Sequence, residues 1–371
     1  MIIDSHAHAG VRSELDWDFA SVAEHRAYDQ RLLWTRLNIG RKLEVRRWDD
    51  DSVVADGWET LWDPRHPNGW EGRRDVNLRI AVERPDEWYA NHLPPTFVWE
   101  HDGEQYYAAG PLVLSHLKAA PPELLVQLMD QVGIDKAVLH CLDPLNKYFA
   151  RLMLEYPQRF IGLCRIEEST AYTDQGLEAL RVAVEDLGLM GMYHEPLPGW
   201  EGYADFHTDK YDPFWREVER LRFPLYLFGC FYRTFDQALP RLQTLLRKFP
   251  RLTIILVHGL PPWYIKDGIP AAARDLVQDH DIYLELLPKI LYYGKDDGII
   301  RRVFDTFGPR KLVWGSEFVT YNVTGPPFTA ARYGEHLRYL ERRCDYLSQN
   351  DLDLILGGNL DAVFSAYAAR R

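Results

Sequence analysis

The pattern of apolar and polar positions changes character about a third of the way along the chain. From residue 121 onward, short unbroken apolar runs alternate with stretches in which apolar residues recur every three or four positions. The first pattern reads as strands buried on both faces, the second as helices with one buried face. Pro121-Pro122 opens a helix carrying Leu124, Leu125, Leu128, Met129 and Val132 on one side, and Gly133 ends it. Strand Lys136–Cys141, helix Leu145–Tyr156, strand Phe160–Ile166, helix Gln175–Leu187 and strand Leu189–His194 follow. The alternation continues through helix Pro213–Arg222, strand Pro224–Phe228, helix Phe235–Phe249, strand Leu252–Val257 and a helix near Pro270–Gln278. Strand Ile282–Leu287, helix Asp297–Phe307, strand Lys311–Trp314 and two closing helices, about Ala330–Leu347 and Leu360–Ala369, complete it.

One more strand, Ile2–His8, stands alone at the start. Residues 11–115 break the rhythm. They are rich in Trp, Arg and Asp with Pro and Gly punctuation, and contain a hairpin pattern, Phe97–Tyr107, around Asp102-Gly103. Asp18–Ile39 has a helical pattern. Eight strands, most followed by a helix, predict an α/β chain folded as a (β/α)8 TIM barrel with an insertion after the first strand. The barrel comprises residues 1–10 and 116–371. The insertion, 11–115, is expected to be a cap over the barrel mouth or an oligomer arm, because its eight tryptophans and its arginines are residue types enriched at interfaces.

Composition narrows the function classes. A formal charge of −12 argues against a nucleic-acid binder. No apolar run approaches membrane-spanning length, and the N-terminus lacks the pattern of a signal peptide. Four scattered cysteines form neither a disulfide framework nor a zinc-ribbon spacing, which predicts a reducing, cytoplasmic setting. The expected partners are a small-molecule substrate and further copies of the chain, as a homodimer or higher oligomer.

In such a barrel the chemistry sits just after each strand. The first strand offers Asp4, His6 and His8. With 13 histidines in 371 residues a His-x-His pair arises by chance about 0.45 times, so its place at a strand end is what makes it informative. Residues i and i+2 share one side of a strand, which lets both imidazoles face one metal ion. The later strands offer His140; Arg165; His194 and Glu195; Tyr232 and Arg233; His258; Glu285; and Ser316 with Glu317. Glu285 lies in an apolar run and reads either as support for the site or as a salt-bridge member inside the barrel. Arg233 and Tyr232 read either as contacts to an anionic substrate or as solvated loop residues. Asp4 reads as orienting a ligand histidine or capping a turn. His194 reads evenly as a site residue or a packed one.

Four segments in this order resemble the amidohydrolase superfamily, and within it the branch that includes aminocarboxymuconate-semialdehyde decarboxylase, aromatic-acid decarboxylases and lactonases. They are Ile3-Asp4-Ser5-His6-Ala7-His8, Val257-His258-Gly259, Trp314-Gly315-Ser316-Glu317 and Ile355–Phe364. The resemblance implies a divalent metal, zinc or alternatively manganese, on His6, His8 and an acid at the eighth strand, here Glu317. It implies His258 beside the metal as a catalytic residue, with Glu317 or His258 as general base. Two positions depart from the pattern: Phe228 stands where a fifth-strand ligand histidine is expected, and Glu317 replaces an aspartate.

The function this implies is metal-dependent hydrolysis of an amide, lactone or C–C bond in a small carboxylated aromatic or unsaturated compound. Nonoxidative decarboxylation of an aromatic or muconate-type acid is the alternative. A metal-free binding or scaffold relic is a further one, which the loss of the fifth-strand histidine would permit.

Overall fold

The computed structural model describes residues 1–12, 120–140, 145–168, 170–195, 205–227, 235–287, 298–318 and 330–370, with shorter pieces of the insertion. Asp18–Ile39, most of which is not among these, lies outside the described residues as an element, as do Phe228, Cys230, Tyr232 and Arg233.

Eight short parallel strands form the barrel: β1 (Ile3–Ala7), β6 (Lys136–Leu139), β7 (Phe160–Gly162), β8 (Met192–His194), β9 (Leu225–Leu227), β10 (Ile254–Leu256), β11 (Ile282–Leu286) and β12 (Leu312–Trp314). They pair in two sheets, β1-β6-β7 and β12-β11-β10-β9-β8. Two isolated parallel bridges join the sheets at both edges, Cys164 to Met192 and Ala7 to Phe318. The order therefore runs β1 through β6 to β12 and back to β1, a closed (β/α)8 ring.

Four strands of the insertion, β2 (Val45–Arg47), β3 (Arg79–Ile80), β4 (Thr96–His101) and β5 (Glu104–Ala109), make a separate antiparallel sheet in the order β2-β5-β4-β3. The β4–β5 hairpin is the one expected from Asp102-Gly103, with His101 paired to Glu104.

Inside the ring, alternate strand residues form one buried cluster: Ile3, Val138, Ile161, Leu163, Tyr193, Tyr226, Ile255, Val257 and Val313, with Leu360 and Phe364 from the last helix. The opposite strand faces join the helices in a larger cluster. The first helix after the insertion, α1 (Pro122–Val132), starts on proline and stops at Gly133, whose φ of 84° suits glycine. Helix α9 (Ala330–Arg343) and the run Gln349–Ala368 close the chain. Within that run Asn359 donates to the carbonyls of Pro309 and Leu312 at 2.8 and 2.7 Å, tying the last helix to the start of β12. No helix among the described residues is long and apolar enough to cross a membrane.

Candidate metal centre

The site begins with an irregularity in β1. Asp4 pairs with Ala137 and Ala7 with Leu139, so β1 uses one more residue than β6 over the same span. Such a bulge re-aims side chains. Ser5 and His6 both reach Glu285 of β11, while Asp4 turns to Ser316 and Tyr333.

The two histidines of the motif converge. His6 Nε2 and His8 Nε2 lie 3.1 Å apart. Each ring's other nitrogen meets an acceptor: His6 Nδ1 donates to Glu285 Oε2 at 2.9 Å, and His8 Nδ1 to the His140 carbonyl at 3.1 Å. Those partners place the proton on Nδ1 in both rings and leave both Nε2 atoms as lone pairs. Burial holds the rings neutral, with His6 lowered to about 3 and His8 lowered well below its ordinary value. Two lone pairs at hydrogen-bond distance call for a cation between them. A carboxylate oxygen of Glu317 completes a set in which all three ligand atoms lie within 4.8 Å of one another. Two imidazoles and a carboxylate suit a divalent metal such as zinc.

Backbone conformation delivers the neighbouring groups. His258 and Glu317 both have left-handed φ, 66° and 53°, which non-glycine residues adopt only when the surroundings impose it. The His258 amide donates to Glu285 Oε2 at 3.0 Å, and its ring stacks on His6 with centroids 5.1 Å apart. His258 Nε2 lies 3.7 Å from Glu317 Oε2. Burial lowers His258 to about 3, chiefly by desolvation, so this ring is a neutral base.

Glu285, fully buried, gathers Ser5 Oγ, His6 Nδ1 and the His258 amide on its two oxygens. Its burial raises its pKa, while His258 and the Ser5 hydroxyl oppose the rise. Asp4 accepts the amides of His6 and Ser316 at 3.0 and 2.9 Å, and burial pushes it up to about 7. Gly315 leaves room for this packing: a Cβ there would meet His6 Cβ at 2.8 Å and Glu285 Oε1 at 3.0 Å.

The structure thus brings together His6, His8, His258, Glu285 and Glu317, with Asp4 behind them. It does not bring His194 to them. Tyr193 points into the barrel, so the next residue points out, and His194 packs edge-on to Trp215 with centroids 5.1 Å apart. Glu168 Oε1 lies 3.9 Å from its Nδ1, and Glu168 is itself bonded to Arg165 at 2.8 Å. Glu195 returns to the inward register and accepts from the Tyr193 hydroxyl. Tyr232 and Arg233 lie outside the described residues.

His140 is the residue to which the motifs gave no role. Its ring stands 4.2 Å from His6 and stacks on Tyr193 at 4.5 Å. The available signal was its spacing, two residues beyond the interior Val138.

A family model described as amidohydrolase matches residues 90–364. No curated protein matches the chain significantly. Among solved structures, 4-oxalomesaconate hydratase from Rhodopseudomonas palustris superposes with a TM-score of 0.55 at 14% identity, covering 100% of this chain and 97% of that one. An uncharacterised TIM-barrel protein from Bordetella bronchiseptica gives 0.52 at 19% identity over 67% of this chain and 83% of its own. A 2,6-dihydroxybenzoate decarboxylase from Rhizobium gives 0.47 at 16% identity, covering 66% and 88%.

Proposed function

This chain belongs to the amidohydrolase family, a metal-dependent enzyme family, and on that premise we propose that it hydrolyses a small, flat, carboxylated compound, aromatic or unsaturated. The observation that carries the reading is the facing pair of Nε2 lone pairs on His6 and His8, with Glu317 beside them.

His6, His8 and Glu317 would hold a divalent ion, zinc or manganese. Such an ion lowers the pKa of water and polarises a carbonyl. Glu317 or His258, 3.7 Å apart, would act as the general base, and the His258 ring is placed to hydrogen-bond an oxygen at the ion. Glu285 fixes the His6 tautomer and the His258 backbone. The ring of His140 stacks on Tyr193 with Tyr226 tilted against it at 5.7 Å, which puts aromatic surface next to His6, as a flat substrate would require.

Nonoxidative decarboxylation is a second reading, and a separate observation favours it. Glu195 is buried, accepts the Tyr193 hydroxyl, and stands four strands round the ring from Glu317. That placement sets a second carboxyl group across the ring from Glu317, where an acid acting on the ring carbon would stand.

Elemental analysis of protein reconstituted with zinc or manganese tests the premise. One ion per chain is expected in the parent and none in His6→Ala/His8→Ala. Absence of stoichiometric metal from the parent removes the metalloenzyme reading. A panel of lactones, amides and 2-hydroxybenzoate-type acids then separates the two reactions. Acid release without CO2 is expected, and CO2 release reverses the assignment.

A further inference from the structure

The left-handed backbone of Glu317 needs something to hold it, and one side chain from outside the barrel reaches both of its neighbours. Tyr333, fully buried on α9, donates its hydroxyl to Asp4 Oδ2 at 2.7 Å. The same oxygen accepts the Ser316 hydroxyl at 2.5 Å, and Asp4 Oδ1 accepts the Ser316 amide at 2.9 Å. The Tyr333 ring lies flat on Phe318, with centroids 4.2 Å apart and planes 13° from parallel. Ser316 precedes Glu317 and Phe318 follows it, so the hydroxyl and the ring of one tyrosine grip the residues on either side of a φ of 53°.

The same contacts extend to the histidines. Asp4 Oδ1 also accepts the His6 amide at 3.0 Å. The Phe318 carbonyl accepts the His8 amide at 2.9 Å. We infer that Tyr333 is a positioning residue of the metal centre, setting the place of the Glu317 carboxylate relative to the His6 and His8 imidazoles through Asp4 and Phe318. The inference rests on the proposed ligand role of His6, His8 and Glu317.

A tyrosine that merely filled the core would contribute to stability alone. One that sets ligand spacing contributes to metal affinity, since partners standing behind metal ligands typically change affinity 10–100-fold when removed. Tyr333→Phe keeps the ring on Phe318 and removes the hydroxyl that bonds Asp4. Leu340, buried about two turns further along the same helix, provides the comparison for lost packing.

The experiment measures zinc and, separately, manganese affinity of the full chain by competition with a chromogenic chelator, together with the thermal midpoint of the metal-free protein. Tyr333→Phe is expected to bind the metal about 10–100-fold more weakly than the parent. Leu340→Ala is expected to lower the midpoint further than Tyr333→Phe does and to keep the parent's affinity. Ser316→Ala, which removes the other hydroxyl from the same Asp4 oxygen, is expected to weaken affinity in the same direction, and it answers the question if Tyr333→Phe does not fold. Parent-like affinity in both Tyr333→Phe and Ser316→Ala overturns the inference, as does an equal loss in Leu340→Ala. A parent that binds neither ion overturns the metal reading and the clamp with it.

Discussion

Glu285 holds His6 by a hydrogen bond of 2.9 Å between Oε2 and Nδ1, in a place where both side chains are buried. That bond decides which His6 nitrogen faces His8. Because the same oxygen accepts the His258 amide, one carboxylate orients an imidazole of the first strand and the backbone of the sixth. Glu285→Gln leaves the shape and replaces an acceptor oxygen by a donor. It is expected to weaken metal binding about 10–100-fold. Chelator competition checks this, and unchanged affinity would show that Glu285 serves packing alone.

Gly315 tests the same geometry from the other side. Its backbone does not require glycine, but an added Cβ would sit 2.8 Å from His6 Cβ, and neither atom is at the end of a flexible chain. Gly315→Ala is expected to displace His6 and lower both metal affinity and stability, the latter by roughly 1–3 kcal/mol as overpacking does. Metal titration and urea unfolding measure the two effects.

His194 makes a pH prediction independent of the metal. Burial, and secondarily the charge of Arg165, lowers its pKa from 6.5 to about 3. The unfolded chain takes up a proton below about pH 6.5 that the folded protein refuses. Its contribution to stability is therefore full above that pH and is lost as pH falls from about 6.5 toward 3. The slope is ~1.4 kcal/mol per pH unit for one proton. In His194→Gln the unfolding free energy should fall less steeply by that amount between about pH 6 and pH 4. Urea unfolding across that range checks it, and parallel slopes for the two proteins would contradict it.

Beside His194, Arg165 and Glu168 form an ion pair with side chains 5% and 1% exposed. Removing Glu168 takes this counter-charge away from a buried arginine. Glu168→Ala is expected to lose roughly 3–5 kcal/mol of stability, and the paired change Arg165→Met with Glu168→Leu to recover much of it. Denaturant midpoints of the two variants decide between this and a solvent-screened pair, for which both losses would be small.

The barrel was legible because strands buried on both faces and helices with one buried face leave distinct apolar rhythms. The same double burial hid which strand residues face inward. His140 and His194 each end an apolar run, and only parity separates them: His140 follows an interior residue by two, His194 by one. Ser5, the residue between Asp4 and His6, also drew no attention, because the bulge that turns it toward Glu285 leaves no mark in the sequence. The short helix Gln349–Asp353 has no apolar rhythm to mark it, although Ser348 and Asp351 form a capping box there. Gly357 beyond it gives way to the N-terminus, since a Cβ would lie 2.3 Å from the Met1 carbonyl.

The seam that closes the ring has a consequence for the birth of the protein. Asp4 and Ser316, whose bond flanks that seam, lie 312 positions apart. A ribosome making the chain delivers His6 and His8 about three hundred residues before Glu317. Until Glu317 and β12 have been made, β1 has an open edge on the side that β12 will occupy. On the proposed ligand roles, an ion captured before β12 has emerged would be held by the histidine pair alone.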